Sequence, residues 1–248
     1  MHRVRGLLVV LFSFAAALAS GQAGGDLQAQ ILYAYQTEDF NQLNNLVLNL
    51  TNQVKAGGAD AALRYHLAHA QYRFGLLAEA KRPRDAAPAY DGCIDQLKQI
   101  LEQDVKSVES LALQSACYAH LARHKRLEAV LLRSRAEDRL GAAYALAPRN
   151  PRVLYLTALE GLDRSKPGSA ENKRAFEQLQ LAAQLFDQSS ATRDEVPGWG
   201  HAEAYLALGA QLQARGDSLG ARNWIEKSLI VAPDYKSAQR QMAGLVRR

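Results

Sequence analysis

The chain has 248 residues, 48% of them apolar, which suffices for one ordinary domain or one short helical array with its own core. It is rich in Ala, Leu, Gln and Arg and poor in β-branched runs, and no stretch alternates apolar and polar residues over strand length with turn signals around it, so an all-α protein is expected. A formal charge of +5 is too small to imply nucleic-acid binding by itself.

The first residues have the pattern of a secretory signal peptide. His2, Arg3 and Arg5 form a basic start, Leu7 to Leu18 is apolar, and Ala17-Leu18-Ala19 is a small-residue cleavage site. The apolar run is shorter than the roughly 20 residues that span a bilayer, so cleavage after Ala19 is expected rather than a retained anchor. Cleavage removes Arg3 and Arg5 and leaves a formal charge of +3. The mature product is expected in the periplasm or secreted beyond it, with no integral membrane segment.

Residues 20–59 read as an atypical N-terminal hairpin. Asp26 can cap a helix carrying Leu27, Ile31 and Tyr35. A turn over 37–42 precedes a second helix with Phe40, Leu43, Leu46, Val47, Leu50 and Val54 on one face. Residues 60–248 read as repeated hairpins closed by an end helix. Asp60 can cap a helix over Ala61 to Leu77, and its partner follows the connection Lys81-Arg82-Pro83-Arg84. A helix over Val105 to Arg123 carries Leu111, Ser115 and Tyr118, with Gln114 interrupting its apolar face. Asn150-Pro151 opens the fourth hairpin, because proline is favoured in the first helical turn. Loops are expected over 164–172 and 188–200, the second with a Pro197-Gly198-Trp199-Gly200 turn.

The clearest stretch is Ala202 to Tyr235. Tyr205, Leu208, Leu212 and then Leu219, Trp224, Ile225, Leu229 recur at helical spacing. Gly216 can take the positive φ that ends the first helix, Asp217 or Ser218 can cap the second, and Pro233 stops it. Gly209 and Ala221 sit where two antiparallel helices cross closely. After Asp234, a final helix has Tyr235, Ala238, Met242 and Leu245 on one side and Lys236, Gln239, Arg240, Arg247 and Arg248 on the other.

This hairpin resembles a tetratricopeptide (TPR) repeat. Such repeats have about 34 residues, with large or small side chains at set positions of both helices and a proline at the end. Tyr205, Leu208, Gly209, Ala221, Ile225, Ser228 and Pro233 fill those positions, with Ser228 and Ile225 as mild departures. Earlier second helices restate the small–large–small pattern as Ala86, Tyr90, Cys93, as Ala136, Leu140, Ala143 before Pro148, and as Ala175, Leu179, Ala182. The resemblance covers roughly residues 60 to 235. It implies an αα-hairpin repeat solenoid, a right-handed superhelix of about five hairpins with a C-terminal end helix, which solenoids use to cover their last apolar face.

The resemblance also implies a concave groove lined by first-helix positions. In the second hairpin these are Ala62, Tyr65, His69, Tyr72 and Arg73. In the fourth they are Arg152, Tyr155, Leu159, Leu162 and Asp163, and in the fifth Glu203, Leu206, Ala210, Gln213 and Ala214. Tyrosine and arginine give large contact area and charge-assisted bonds. The candidate partner-binding residues are therefore Tyr65, His69, Tyr72, Arg73, Arg152 and Tyr155. The alternative is that the tyrosines pack between hairpins.

Signals for chemistry are weak. No phosphate-binding loop, G-x-S-x-G, H-E-x-x-H or C-x-x-C occurs. His120 and His124 share a helix face at i, i+4 spacing, but no carboxylate or thiolate aligns with them in sequence, and they read as surface histidines, as do His66 and His69. Cys93 and Cys117 fall on consecutive helices and read either as a disulfide or as two small buried side chains. The basic runs at Lys81–Arg84 and Arg123–Arg126 read as solvated connections. No catalytic residue, metal or cofactor is expected. The expected function is an exported scaffold binding a protein or peptide partner in an envelope assembly or secretion process, without nucleic acid. The alternative is a small-ligand or glycan-binding accessory of transport or cell-wall metabolism, with the loops at 164–172 and 188–200 and Trp199 forming a lid.

Overall fold

The computed structural model describes residues 27–189 and 198–246. The leader over 1–19, the Asp26 cap, most of the 188–200 loop, and Arg247 and Arg248 lie outside the described residues.

Among the described residues the chain is all-α, with sequential helices packed in pairs. The pairs are α1 (27–36) with α2 (Phe40–Lys55), α3 (Ala61–Lys81) with α4 (Pro83–Gln103), and α5 (Val108–His124) with α6 (Ala129–Leu146). They continue as α7 (Pro151–Arg164) with α8 (Ala170–Ser189) and α9 (His201–Ala214) with α10 (Ser218–Val231), and α11 (Lys236–Val246) follows. None of these helices is long and apolar enough to cross a membrane.

Helix starts follow local chemistry. The Asp60 carboxylate accepts from the Leu63 N–H at 2.8 Å, the Asn150 amide oxygen from Arg152 N–H at 2.9 Å, and Asp217 from Gly220 N–H at 2.8 Å. Each satisfies an amide that the first helical turn leaves open. Gly216 ends α9 at φ 83°, a conformation that a Cβ would strain. The connection foreseen over Lys81–Arg84 shrinks to one residue. Helix α3 runs four residues beyond Leu77, and Pro83 then forces Arg82 out of the helical region, to φ −146° and ψ 72°, because the ring collides with a helical predecessor.

The small–large–small pattern is the core seam of the second helices. Ala86, Tyr90, Cys93, Leu140, Ala143, Ala175, Leu179, Ala182, Ala221 and Ile225 are all buried, as is Ala136. Ser228, which replaces the usual alanine, is fully buried and donates its hydroxyl to the Ala202 carbonyl at 2.8 Å. A Cβ on Gly209 would lie 2.6 Å from the Ile225 side chain, so the α9–α10 crossing depends on that glycine. Gln114, the irregular residue of α5, is buried and donates to the Ile94 carbonyl at 3.2 Å.

Cys93 of α4 and Cys117 of α5 form a disulfide between the second and third pairs. The first and last described segments also meet. The Tyr35 and Tyr235 rings are 6.1 Å apart, and Arg240 of α11 donates to Glu38 at 2.5 Å.

The disulfide closes a loop of 24 residues and restricts the unfolded chain. Replacing both cysteines by alanine should lower unfolding free energy by about 3 kcal/mol. Urea unfolding of the oxidised protein against the Cys93→Ala/Cys117→Ala variant measures this, and equal midpoints would refute it.

Candidate functional site

The six candidate groove residues converge, and the chain itself occupies the space between them. Tyr65, His69, Tyr72 and Arg73 come from α3, and Arg152 and Tyr155 from α7. His69, Arg73, Arg152 and Tyr72 are buried, and Tyr65 and Tyr155 are half-buried. His69 is thus no surface residue: α3 packs on both sides along its middle turns, and Trp199 covers the imidazole. Trp199 packs into the same cluster. It is 1% exposed, stacks on His69 with centroids 5.8 Å apart, and donates its indole N–H to the Tyr65 hydroxyl at 2.9 Å.

Two buried arginines frame that tryptophan. Arg73 donates from Nη2 to Glu203 at 2.5 Å and from Nε to His69 Nε2 at 3.0 Å, and its guanidinium lies 4.4 Å from the Tyr35 ring centre. Glu203 is 7% exposed, and its second oxygen accepts from the Gly200 N–H at 3.1 Å. Arg152 grips Glu109 of α5 through two bonds of 2.6 and 2.8 Å, and the same carboxylate accepts from Asn150. Two-pronged contact of this kind is what a guanidinium provides and an ammonium does not. Gly200 begins α9 at φ 104°, and a Cβ there would lie 2.7 Å from Phe186. The turn that delivers Trp199 and Glu203 therefore requires glycine.

Electrostatics follow from this burial. Desolvation and then the Arg73 charge push the His69 pKa well below its usual 6.5. The ring is neutral, and its Nδ1 is buried without a hydrogen-bond partner. Burial raises the hydroxyl pKa of Tyr35, Tyr65, Tyr72, Tyr155 and Tyr235, so all five are neutral. Burial opposes the charge on Arg73, but Glu203 and the surrounding tyrosine oxygens outweigh it and raise its pKa.

A second cluster lies beside this one. His120 and His124 do meet a carboxylate, Glu79 of α3, at 3.0 and 3.4 Å, and Tyr90 donates to the same oxygen at 2.8 Å. Sequence separation hid this, since Glu79 is 41 residues from His120. Burial acts to raise the Glu79 pKa, but hydrogen bonds from His120 and Tyr90 outweigh it and hold the carboxyl at about 2. Among the described residues no group of three or more His, Cys, Asp or Glu side chains is placed to hold a metal ion.

Open space adjoins both clusters, at Tyr72 and His120. A cleft of about 520 Å³ separates the third pair from the fourth. Its α5–α6 wall carries Ala116, Ala119, His120, Arg123, Arg133, Ala136, Glu137 and Leu140, and its α7 wall carries Leu156, Leu159, Glu160, Asp163 and Arg164. Tyr72 reaches it from α3 and is the one candidate groove residue that lines it. Arg164 bridges the walls, 2.5 Å from Glu137 and 3.0 Å from Glu160. Asp163 was legible as a groove position, whereas the α6 side of the cleft was not, because Ala136 and Leu140 read as ordinary packing.

Comparison with known proteins gives no matching family model and no matching curated relative.

Two outcomes follow from the buried cluster. Removing one partner of the Arg73–Glu203 pair leaves an uncompensated buried charge, so Glu203→Met should destabilise by about 3–5 kcal/mol, whereas Arg73→Met/Glu203→Met together should cost less than that single change. Denaturant unfolding of the single and double variants measures both, and a double variant worse than Glu203→Met would contradict the pairing. His69 takes up a proton near pH 6.5 only when unfolded, so acidification below that value favours the unfolded state by up to about 1.4 kcal/mol per pH unit. A His69→Gln variant keeps an acceptor for Arg73 but does not titrate, so its stability should fall less steeply between pH 6.5 and 5; parallel curves would rule this out.

Proposed function

We propose that this protein is an exported, TPR-like helical-repeat scaffold that takes a segment of a protein or peptide partner into the cleft between α6 and α7. The repeat assignment rests on the hairpin order and the buried small–large–small seam. Export rests on the leader pattern over 1–19, and with it a place in the periplasm or beyond. Binding rather than catalysis fits the absence of a nucleophile, base and orienting group in any recognisable sequence motif.

The observation that carries the reading is a division of labour among first-helix positions. The aromatic and charged residues that a TPR groove would present are occupied by Trp199, Glu203 and Glu109 of the same chain. The cleft between the third and fourth pairs remains open, with a volume in the range of pockets that bind small organic groups and side chains. The inner arc thus fixes curvature, and the cleft is the free working surface. A small-ligand accessory role is the second reading, favoured by the same volume.

Placing a photo-crosslinking residue at Ala119, which is exposed and lines the cleft, tests the proposal in the producing cell. A polypeptide adduct should form there and not at Arg222, an exposed α10 residue outside the cleft lining. Leu159→Arg, which fills the cleft, should abolish the adduct without lowering the melting temperature by more than a few degrees. Equal labelling at Ala119 and Arg222, or labelling unaffected by Leu159→Arg, would overturn the proposal.

A further inference from the structure

The tip of the third pair, where α5 turns into α6, leaves three large apolar side chains in water. Leu127 is as exposed as in an extended chain, at 104%, with Val130 at 82% and Leu131 at 52%. Leu127 sits in the 3-10 turn Arg126–Glu128 and the other two in the first turn of α6, so spacings of three and four residues put them on one helix face. Cations flank that face. Residues 123–135 hold Arg123, Lys125, Arg126, Arg133 and Arg135 against one carboxylate, Glu128. Lys125 is paired with Asp91 at 2.8 Å, whereas no hydrogen bond or ion pair among the described residues engages Arg123, Arg126 or Arg133, all of them exposed. The neighbouring tip adds to this edge. Glu79, two residues before the end of α3, lies 3.4 Å from His124, the last residue of α5, so the exposed Lys81, Arg82 and Arg84 that follow it border the same end of the molecule. Two carboxylates there are engaged within the chain, Glu79 by His120, His124 and Tyr90, and Asp91 by Lys125.

We infer that this tip docks on an anionic lipid surface, with Leu127, Val130 and Leu131 entering the headgroup boundary and the flanking arginines lying against lipid phosphates. The sign of the charge selects an anionic partner, and the exposure selects a fluid one. A leucine that barely touches its own molecule buries its whole surface only in a medium that closes around it, whereas a protein partner would have to supply a matching socket. Apolar side chains flanked by Lys and Arg bind in this interfacial way, by buried apolar area together with attraction to anionic lipid. The contact is peripheral, since no described helix is long and apolar enough to cross a membrane. It is independent of what the cleft holds, although Arg123 and Arg133 border both.

Flotation of the full mature chain, disulfide intact, with vesicles of equal parts phosphatidylglycerol and phosphatidylcholine, and with vesicles of phosphatidylcholine alone, tests this. The anionic vesicles should bind at least about tenfold more tightly, and raising salt from about 50 to about 300 mM should weaken that binding. Leu127→Gln/Val130→Gln/Leu131→Gln should weaken it by about tenfold or more, as should Arg123→Gln/Arg126→Gln. All five side chains are exposed, so neither variant should lower the melting temperature by more than a few degrees. Leu219→Gln/Ile230→Gln, at exposed apolar positions of α10, should bind as the parent does. Equal binding to both vesicle types, binding to neither, or an equal loss in the α10 variant would overturn the inference. Binding of poly-glutamate in place of anionic vesicles, abolished by the Leu127 triple variant, would also overturn it and assign the tip to an acidic protein. The adduct at Ala119 is read separately, so failure here leaves the scaffold reading standing.

Discussion

The buried ion pair between Arg73 and Glu203 joins residues 130 apart in sequence and fixes how the two halves of the chain meet. An arginine at 3% exposure is costly to desolvate, and a single carboxylate does not offset that cost by itself. Here the guanidinium also donates to His69 and lies against Tyr35, Tyr72 and Trp199. Glu203 in turn is held by the first amide of its own helix. The pair therefore works only if α9 begins at Gly200, if Trp199 enters between α3 and α7, and if α1 brings Tyr35 alongside. Each of these conditions is met by a different element, and so the pair couples them.

The second buried arginine has a complementary role. Arg152 with Glu109 and Asn150 joins α7 to α5 at one end of the boundary between the third and fourth pairs. Tight closure at one end of that boundary, beside Trp199, and an opening at the other, beside Arg164, are two parts of one geometry. The disulfide stiffens the neighbouring boundary between α4 and α5. The cleft is thus flanked by a covalently braced pair on one side, so an occupant meets a wall that is already fixed.

The hairpins were legible in the sequence because their determinants are local. Ala175, Leu179 and Ala182 define a buried stripe by spacing alone, and Asp60, Asn150 and Asp217 announce helix starts within three residues of the amides they serve. Tyr65, His69, Arg73 and Arg152 all lie against Trp199. Packing of the tyrosines between hairpins was one of two readings, but the burial of His69, Arg73 and Arg152 was not legible. For the α3 residues it depends on Trp199 and Glu203, which lie 134 and 130 residues from their partners Tyr65 and Arg73, and the turn signal before Trp199 says nothing about where that turn docks. The same limit applies to His120 and His124, whose carboxylate sits on α3, and to the cleft, which exists where expected packing did not form. Short-range periodicity specifies elements and seams; it carries no information about which seams stay open.

The contacts of Tyr35 with Tyr235 and of Glu38 with Arg240 have a consequence for the fold as a whole. In an open stack each unit touches only its neighbours, so units can be gained or lost at little cost to the rest. Here Glu38 holds Arg240, and Tyr35 packs beside Tyr235, across 202 residues of intervening chain for the ionic contact. An added or deleted hairpin would carry the last helix away from the first and uncover both. The number of helix pairs is therefore tied to these contacts, whereas a substitution or a change of loop length elsewhere leaves them in place.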